Sequence, residues 1–216
     1  MDLDAIFFDL DGTLTDPKPG ITRSIQYALQ RLDHPTIPTE DELTWCIGPP
    51  LRSSFVKMLG DHTADRAVAL YRERFSDVGL YENRVYDGVG EVLTALCASG
   101  HRLFVATSKA HVFADRIIDH FGLRGHFEHV FGAELDGTRA DKSHLLEYAL
   151  KQAAVDPSKT LMIGDRSHDM IGAKNNGMQR IGVLYGYGSR DELLEAGAEH
   201  VCETPDAILR RISRSG

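Results

Sequence analysis

Four acidic residues in this sequence stand where carboxylates are costly unless some chemistry needs them. Asp9 and Asp11 follow a short apolar run near the start of the chain, and Asp165 and Asp169 follow the apolar residues 160–164. Both runs have the composition of strands that are covered on both faces. Carboxylates that converge at strand ends repel each other, so they indicate a bound cation or a reaction that uses them.

Hydroxyl and ammonium groups occur at comparable places further along the chain. Thr107 and Ser108 follow the apolar strand predicted at residues 103–106, and Lys142 begins the helix predicted at residues 142–154. Thr107 and the amides after it can donate to phosphate oxygens, while Lys142 can neutralise one phosphate charge. Because hard oxygen ligands suit Mg²⁺ and no convincing His/Cys set accompanies them, the carboxylates favour magnesium over zinc.

Two acids at one site allow a division of labour in phosphoryl transfer. One carboxylate attacks phosphorus and forms an aspartyl phosphate. The other protonates the leaving oxygen and then takes a proton from the water that hydrolyses the intermediate. This residue set therefore indicates Mg²⁺-assisted phosphoryl chemistry at the ends of predicted strands.

The elements that must position these side chains alternate between strand and helix from residue 86 onward. Such alternation predicts a parallel sheet with right-handed crossovers, and ligands bind at the carboxyl ends of its strands. Residues 16–83 instead show helical spacing and no convincing strand. Within that segment, Thr39 and Glu42 have the spacing of a capping box and predict the start of its second helix.

Composition limits the possible partners and compartment. The chain has 216 residues and a formal net charge of −8, which argues against nucleic acid as a main partner. Its three cysteines are scattered, so we expect a reducing, cytoplasmic environment rather than a disulfide framework. Its first apolar run is too short for a signal peptide or a membrane span. We expect a monomer or homodimer with a small phosphorylated metabolite as its partner.

The same residues, in the same order, resemble the four motifs of the haloacid dehalogenase (HAD) phosphohydrolase superfamily. The sequence DLDGT at residues 9–13 resembles the first motif, and Thr107 resembles the second. Lys142 resembles the third-motif lysine, and GDRSHD at residues 164–169 resembles the fourth motif. This resemblance covers nearly the whole chain. It implies an α/β fold: a Rossmann-like, doubly wound parallel sheet core from residues 1–15 and 84–216, with an α-helical cap inserted at residues 16–83.

The resemblance also implies a role for each site residue. Asp9 would be the nucleophile and Asp11 the general acid/base. The implied Mg²⁺ ligands are Asp9, the backbone carbonyl of Asp11, and Asp165, with Asp169 bound directly or through a water. The implied phosphate-binding residues are Gly12, Thr107, Ser108 and Lys142. Ser143 follows Lys142 where many relatives have proline, so Arg139 stays open as the alternative cation.

Two loops narrow the resemblance to one group within the superfamily. The sequence IGPPL at residues 47–51 and LYGYGS at residues 184–189 are most similar to phosphoglycolate phosphatase-like members, among which nucleotide 5′-phosphatases also occur. Arg52 follows the Pro-Pro turn and is a candidate substrate contact. We therefore expect a Mg²⁺-dependent phosphomonoester hydrolase, with a nucleotide 5′-phosphatase or a β-phosphoglucomutase-type phosphomutase as alternatives. A phospho-accepting receiver domain is the alternative from a different class.

Overall fold

The centre of the computed structural model, which describes residues 3–213, is a six-stranded parallel sheet. The strands of the chain are β1 (Ala5–Phe8), β2 (Thr15–Asp16), β3 (Arg84–Val85), β4 (Arg102–Ala110), β5 (His129–Ala133), β6 (Thr160–Gly164), β7 (Gln179–Val183) and β8 (His200–Cys202). The large sheet has the order β5-β4-β1-β6-β7-β8. Counted along the chain within that sheet, this is the doubly wound order 3-2-1-4-5-6. The predicted α/β class is confirmed.

The first strand occupies the middle of the sheet because every one of its residues is apolar and buried. Phe7 lies in register with Phe104 of β4 and Met162 of β6. The ring of Phe7 stacks on that of Phe104 with centroids 4.8 Å apart. The strand order changes direction at β1, with β4 and β5 on one side of it and β6 to β8 on the other. Sheets of this kind bind ligands in the crevice beyond the carboxyl end of the strand at which the order changes.

Helices cover both faces of the sheet. The helices that follow β3 in the chain are numbered from α4: α4 (Val89–Ala98), α5 (His111–His120), α6 (Lys142–Ala153), α7 (Ser167–Asn175), α8 (Arg190–Glu195) and α9 (Pro205–Ser213). Phe7 and Phe104 pack with Leu145 of α6 on one face, while Ile6 and Phe8 belong to the core of the other. This burial explains why the strands read as continuous apolar runs.

Three helices lie between β2 and β3: α1 (Lys18–Arg31), α2 (Leu51–Leu59) and α3 (Asp61–Arg74). A π-helical turn, Phe75–Gly79, follows α3 directly. The strands β2 and β3 pair antiparallel and form a short ribbon where the chain leaves and rejoins the sheet region. Among the helices of residues 3–213, none is both long and apolar enough to cross a membrane. Residues 1, 2 and 214–216, which the sequence assigned to the core, lie outside the described residues.

The prediction of a helix beginning at Thr39 is wrong. The capping-box hydrogen bonds do form, since Thr39 N–H donates to Glu42 at 2.8 Å and Glu42 N–H donates back to Thr39 Oγ1 at 3.3 Å. They lead only into turns and one 3₁₀ turn, Thr44–Cys46. Gly48, at φ +103°, and the two prolines after it end the segment before a helix could gain enough hydrogen bonds to offset nucleation.

Candidate active site

The turn after β1 presents the first two acids at the sheet edge. Asp9 continues the strand pairing, because its N–H donates to the carbonyl of Ile163 at 2.9 Å. Gly12 then adopts φ +87°, a left-handed conformation that strains other residues. A Cβ at Gly12 would lie only 2.2 Å from Asp165 Oδ2, so the turn also depends on the absence of a side chain there.

Lys142 reaches this turn from the first residue of α6. Its ammonium lies 2.9 Å from Asp9 Oδ1 and 2.7 Å from Asp169 Oδ1, and it donates to the carbonyl of Ala106 at 2.8 Å. Asp141 caps the helix by accepting from two backbone N–H groups and so fixes where Lys142 emerges. Burial alone would lower the pKa of Lys142, but Asp169 and Asp9 outweigh it and raise that pKa.

Arg139, the alternative to Lys142, does not take this position. Its guanidinium pairs with Glu134 and lies 4.4 Å from the ring centroid of Tyr148. The structure therefore brings Lys142 to the acids, and the substitution of serine for proline after Lys142 does not displace it.

Three acids form a buried cluster beside Lys142. Oxygen atoms of Asp9, Asp165 and Asp169 all lie within 4.8 Å of one another. Burial, reinforced by the other two acids, raises the pKa of Asp165 well above its usual range, and burial likewise raises that of Asp169. Closely spaced hard oxygen donors of this kind fit Mg²⁺, which would relieve the repulsion that these shifts report.

Backbone and hydroxyl donors hold the acids in place. Asp165 accepts from the N–H of Tyr187 at 2.7 Å and from the hydroxyl of Thr13 at 3.3 Å. Asp169 accepts from the N–H of Arg166 at 3.1 Å. A Cβ at Gly186 would lie 2.5 Å from Asp165 Oδ2, so the glycine-rich loop after β7 lets the backbone approach the acids closely.

Thr107 and Ser108, two of the predicted phosphate-binding residues, lie within the last four residues of β4, which runs beyond its predicted end at residue 106. Thr107 is buried, and its hydroxyl accepts from the N–H of Lys109 at 3.2 Å. Ser108 lines the same cavity as Thr107, Asp9 and Asp11. The pairing with β5 shifts register after Thr107, which bends the chain over the sheet edge.

Lys109 is a site residue to which the sequence analysis gave no role. Its ammonium lies 2.8 Å from Asp11 Oδ2, both side chains are less than 10% exposed, and it also lies 4.5 Å from the ring centroid of Phe75. The other oxygen, Oδ1 of Asp11, is buried without a hydrogen-bond partner among residues 3–213. Burial raises the pKa of Asp11, while Lys109 opposes the shift. The available signal was position, since Lys109 follows Thr107 and Ser108 at a strand end.

A cavity of about 370 Å³ separates these residues from α2 and α3. Arg52 lines it, but its guanidinium pairs with Asp61 at 2.9 Å and Asp65 at 2.7 Å. Arg166, the residue after Asp165, donates to the carbonyl of Ile47 and so connects the turn after β6 to the loop before α2. The site is thus closed on one side by the sheet edge and on the other by the inserted helices.

Comparisons with known proteins agree with this arrangement. The family model described as haloacid dehalogenase-like hydrolase matches residues 6–183. A 5′-nucleotidase of Pseudomonas aeruginosa is 50% identical over 214 residues, which cover 97% of this chain and 95% of that protein. A phosphoglycolate phosphatase of Colwellia psychrerythraea is 27% identical and covers 98% of this chain and 97% of its own.

A solved structure extends the likeness to the whole fold. The crystal structure described as a predicted phosphatase from Clostridium acetobutylicum matches with a TM-score of 0.95 and 39% identity, over 98% of this chain and 99% of that one. The expected superfamily resemblance is confirmed, and the receiver-domain alternative is set aside. The chain belongs to the haloacid dehalogenase-like hydrolase family, as one of its phosphatases.

Proposed function

We propose that this protein is a Mg²⁺-dependent phosphomonoesterase that acts on a small metabolite through an aspartyl-phosphate intermediate. The observation that carries the proposal is the buried cluster of Asp9, Asp165 and Asp169 with Lys142 inserted between two of them. A purely structural ion-pair network would not need a third acid beside the two that Lys142 already pairs. A divalent cation would balance the net negative charge of three carboxylates and one ammonium, and a phosphoryl group could then bind beside the cation and Lys142.

The proposed nucleophile is Asp9. Its carboxylate oxygen forms a bond to phosphorus while the bond from phosphorus to the leaving oxygen breaks. Asp11 gives its proton to the leaving oxygen, which departs as an alcohol. Asp11 then takes a proton from water as that water attacks phosphorus, the Asp9–phosphorus bond breaks, and inorganic phosphate is released.

The remaining residues hold the phosphoryl group and the cation. Lys142, Thr107, Ser108 and the backbone at Gly12 would bind phosphate oxygens. The Mg²⁺ ligands would be Asp9, Asp165 and Asp169 together with the backbone carbonyl of Asp11. When bound, Mg²⁺ would offset the repulsion between the anionic nucleophile and the anionic phosphate. Lys142, 2.9 Å from Asp9 Oδ1, would orient the Asp9 carboxylate before the phosphate arrives.

We infer that residues 16–83 act as a cap that selects the leaving group, with Arg52 among the contacts. Supporting this, the cavity lies between the sheet edge and helices of this segment. The loop resemblances favour 2-phosphoglycolate as substrate, and the 50% identity to a 5′-nucleotidase favours nucleoside 5′-monophosphates as the second candidate. A reducing compartment such as the cytoplasm suits the three free cysteines.

The test is phosphate release from a panel containing 2-phosphoglycolate, nucleoside 5′-monophosphates and hexose phosphates, with Mg²⁺ and with EDTA. We expect Mg²⁺-dependent release from at least one compound, and loss of at least about 10⁴-fold of that activity in Asp9→Asn. A folded Asp9→Asn variant that keeps the wild-type rate contradicts the mechanism. Conversion of a hexose phosphate into its isomer, without free phosphate, supports the phosphomutase alternative instead.

A further inference from the structure

The charged groups that line the cavity are almost all paired with each other. Five acids line it: Asp9, Asp11, Asp65, Glu134 and Asp136. Asp9 pairs with Lys142, Asp11 with Lys109, Asp65 with Arg52 and Glu134 with Arg139. Asp136 accepts from the N–H of Thr138 at 2.8 Å within its own loop, which lowers its pKa.

The cations that line the cavity are Arg52, Arg72 and Lys109. Arg52 and Lys109 each lie within 3 Å of a carboxylate oxygen. Arg72, on α3, differs from both, because within residues 3–213 it forms no ion pair with a carboxylate. Within the described part of the chain its side chain makes one hydrogen bond, from Nη2 to the backbone carbonyl of Leu135 at 2.7 Å.

A half-buried guanidinium without an anion is unfavourable in the free protein. Partial burial lowers the pKa of Arg72, and no carboxylate opposes that shift. Arginine has five N–H donors in a planar fork, so the bond to Leu135 leaves donors that can face a ligand in the cavity. Carboxylate and phosphate groups match this fork and form its strongest hydrogen bonds.

We propose that Arg72 binds a second anionic group, a carboxylate or a second phosphate, carried by the leaving group of the substrate. The inference rests on the proposed function, since the scissile phosphate must lie at Asp9 for its leaving group to extend into the cavity. Asp11, the proposed proton donor to the leaving oxygen, lines the same cavity as Arg72. Arg72 is thereby a specificity residue that favours doubly anionic substrates over those with neutral leaving groups.

Another arginine provides a matched control for a purely structural role. Arg116 of α5 also donates to a backbone carbonyl across the same interface, that of Ser76 at 2.8 Å, and to the hydroxyl of Tyr81 at 3.1 Å. Arg116 does not line the cavity. If Arg72 served only to join the cap to the core, replacing either arginine would have the same kind of effect.

The experiment measures kcat/KM for two substrate pairs that differ only in the second anion. The pair 2-phosphoglycolate and ethyl phosphate tests a carboxylate, and a hexose bisphosphate with its monophosphate tests a phosphate. In Arg72→Gln, which keeps a donor for Leu135, we expect the anionic-to-neutral ratio for one pair to fall about 10- to 100-fold, mainly through KM. Arg72→Lys should keep more of the ratio, and Arg116→Gln should leave it within about twofold of wild type.

Each outcome decides for or against Arg72. An unchanged ratio in a folded Arg72→Gln variant, or equal losses in Arg72→Gln and Arg116→Gln, overturns the proposal. A fall in the ratio for one pair supports it and identifies the anion. Wild-type phosphate release is recorded separately for the whole panel, nucleoside 5′-monophosphates included. Absence of release from every compound contradicts the proposed function, whereas release from nucleoside monophosphates with none from either doubly anionic substrate overturns the role of Arg72 alone.

Discussion

The two sides of the cavity contain ion pairs of similar length, one buried and one exposed. On the sheet side, Lys142 lies 2.9 Å from Asp9, and both side chains are at most 5% exposed. On the helical side, Arg52 lies 2.7 Å from Asp65, with side chains 50% and 76% exposed. Burial makes the first pair rigid and strongly coupled, whereas water and salt screen the second. The sheet side can therefore hold reacting groups in place, while the helical side can exchange partners with a substrate at small cost.

The largest expected effect on this comparison comes from Lys142→Ala. Its removal leaves Asp9 and Asp169 buried without their counter-charge, so the free energy of unfolding without Mg²⁺ should fall by about 3–5 kcal/mol. Loss of one phosphate-binding donor should lower kcat on the order of 10²–10³-fold. Urea unfolding and steady-state phosphate release measure the two effects.

The control for this variant lies in the same helix. Lys151 pairs with Glu147 one turn away at 2.6 Å, and both side chains are more than half exposed. Lys151→Ala should change the free energy of unfolding far less than Lys142→Ala and leave kcat unchanged, because solvent screens the exposed pair. Equal destabilisation by the two substitutions would remove the distinction between buried and exposed pairs.

The sheet side was predictable because its signals are local and ordered. Buried parallel strands read as apolar runs, and an acid directly after such a run points to the carboxyl edge whatever the loops do. Asp9, Asp165 and Lys142 therefore met in the structure as their order predicts. Lys109 was missed because a lysine after a strand end is ordinary by itself, and only its distance to Asp11 distinguishes it.

The helical side was less predictable because its geometry depends on long-range contacts. Thr39 and Glu42 made the predicted capping bonds, yet the breaker at Gly48 prevented the helix they would begin. Arg72 sits among ordinary charged residues of α3, and nothing in its neighbours says that no acid will reach it. Which cation stays unpaired is decided by how α3 packs over the sheet edge, a property of the tertiary structure.

A smaller effect is expected when Mg²⁺ is added to the acid cluster. Since Mg²⁺ would bind the folded protein, a concentration 100-fold above its Kd stabilises by about 2.7 kcal/mol. For a chain of this size that corresponds to a rise in Tm of about 5–10 °C. Calorimetry with Mg²⁺ and with EDTA measures the shift without any turnover.

Asp165→Asn tests whether the rise in Tm comes from Mg²⁺ bound at the acid cluster. Asp169 and Asp9 reinforce the burial that raises the pKa of Asp165, so removing its charge relieves repulsion. Without Mg²⁺ the variant should melt no lower than wild type, and with Mg²⁺ its shift should fall below half of the wild-type shift. A full Mg²⁺ shift in the variant would assign the cation to another place on the protein.

The smallest effect is expected from Asp65→Asn on the helical side. Arg52 keeps its second partner, Asp61, at 2.9 Å, and the lost pair is exposed to water and salt, so the free energy of unfolding should change little. Weakening the hold on Arg52 frees it for a phosphorylated substrate, so KM should fall by about two- to fivefold. Arg52→Gln should move KM in the opposite direction with kcat nearly constant. If instead Asp65→Asn destabilises the protein as much as Lys142→Ala, Arg52 is a structural anchor, and the helical side is as fixed as the sheet side.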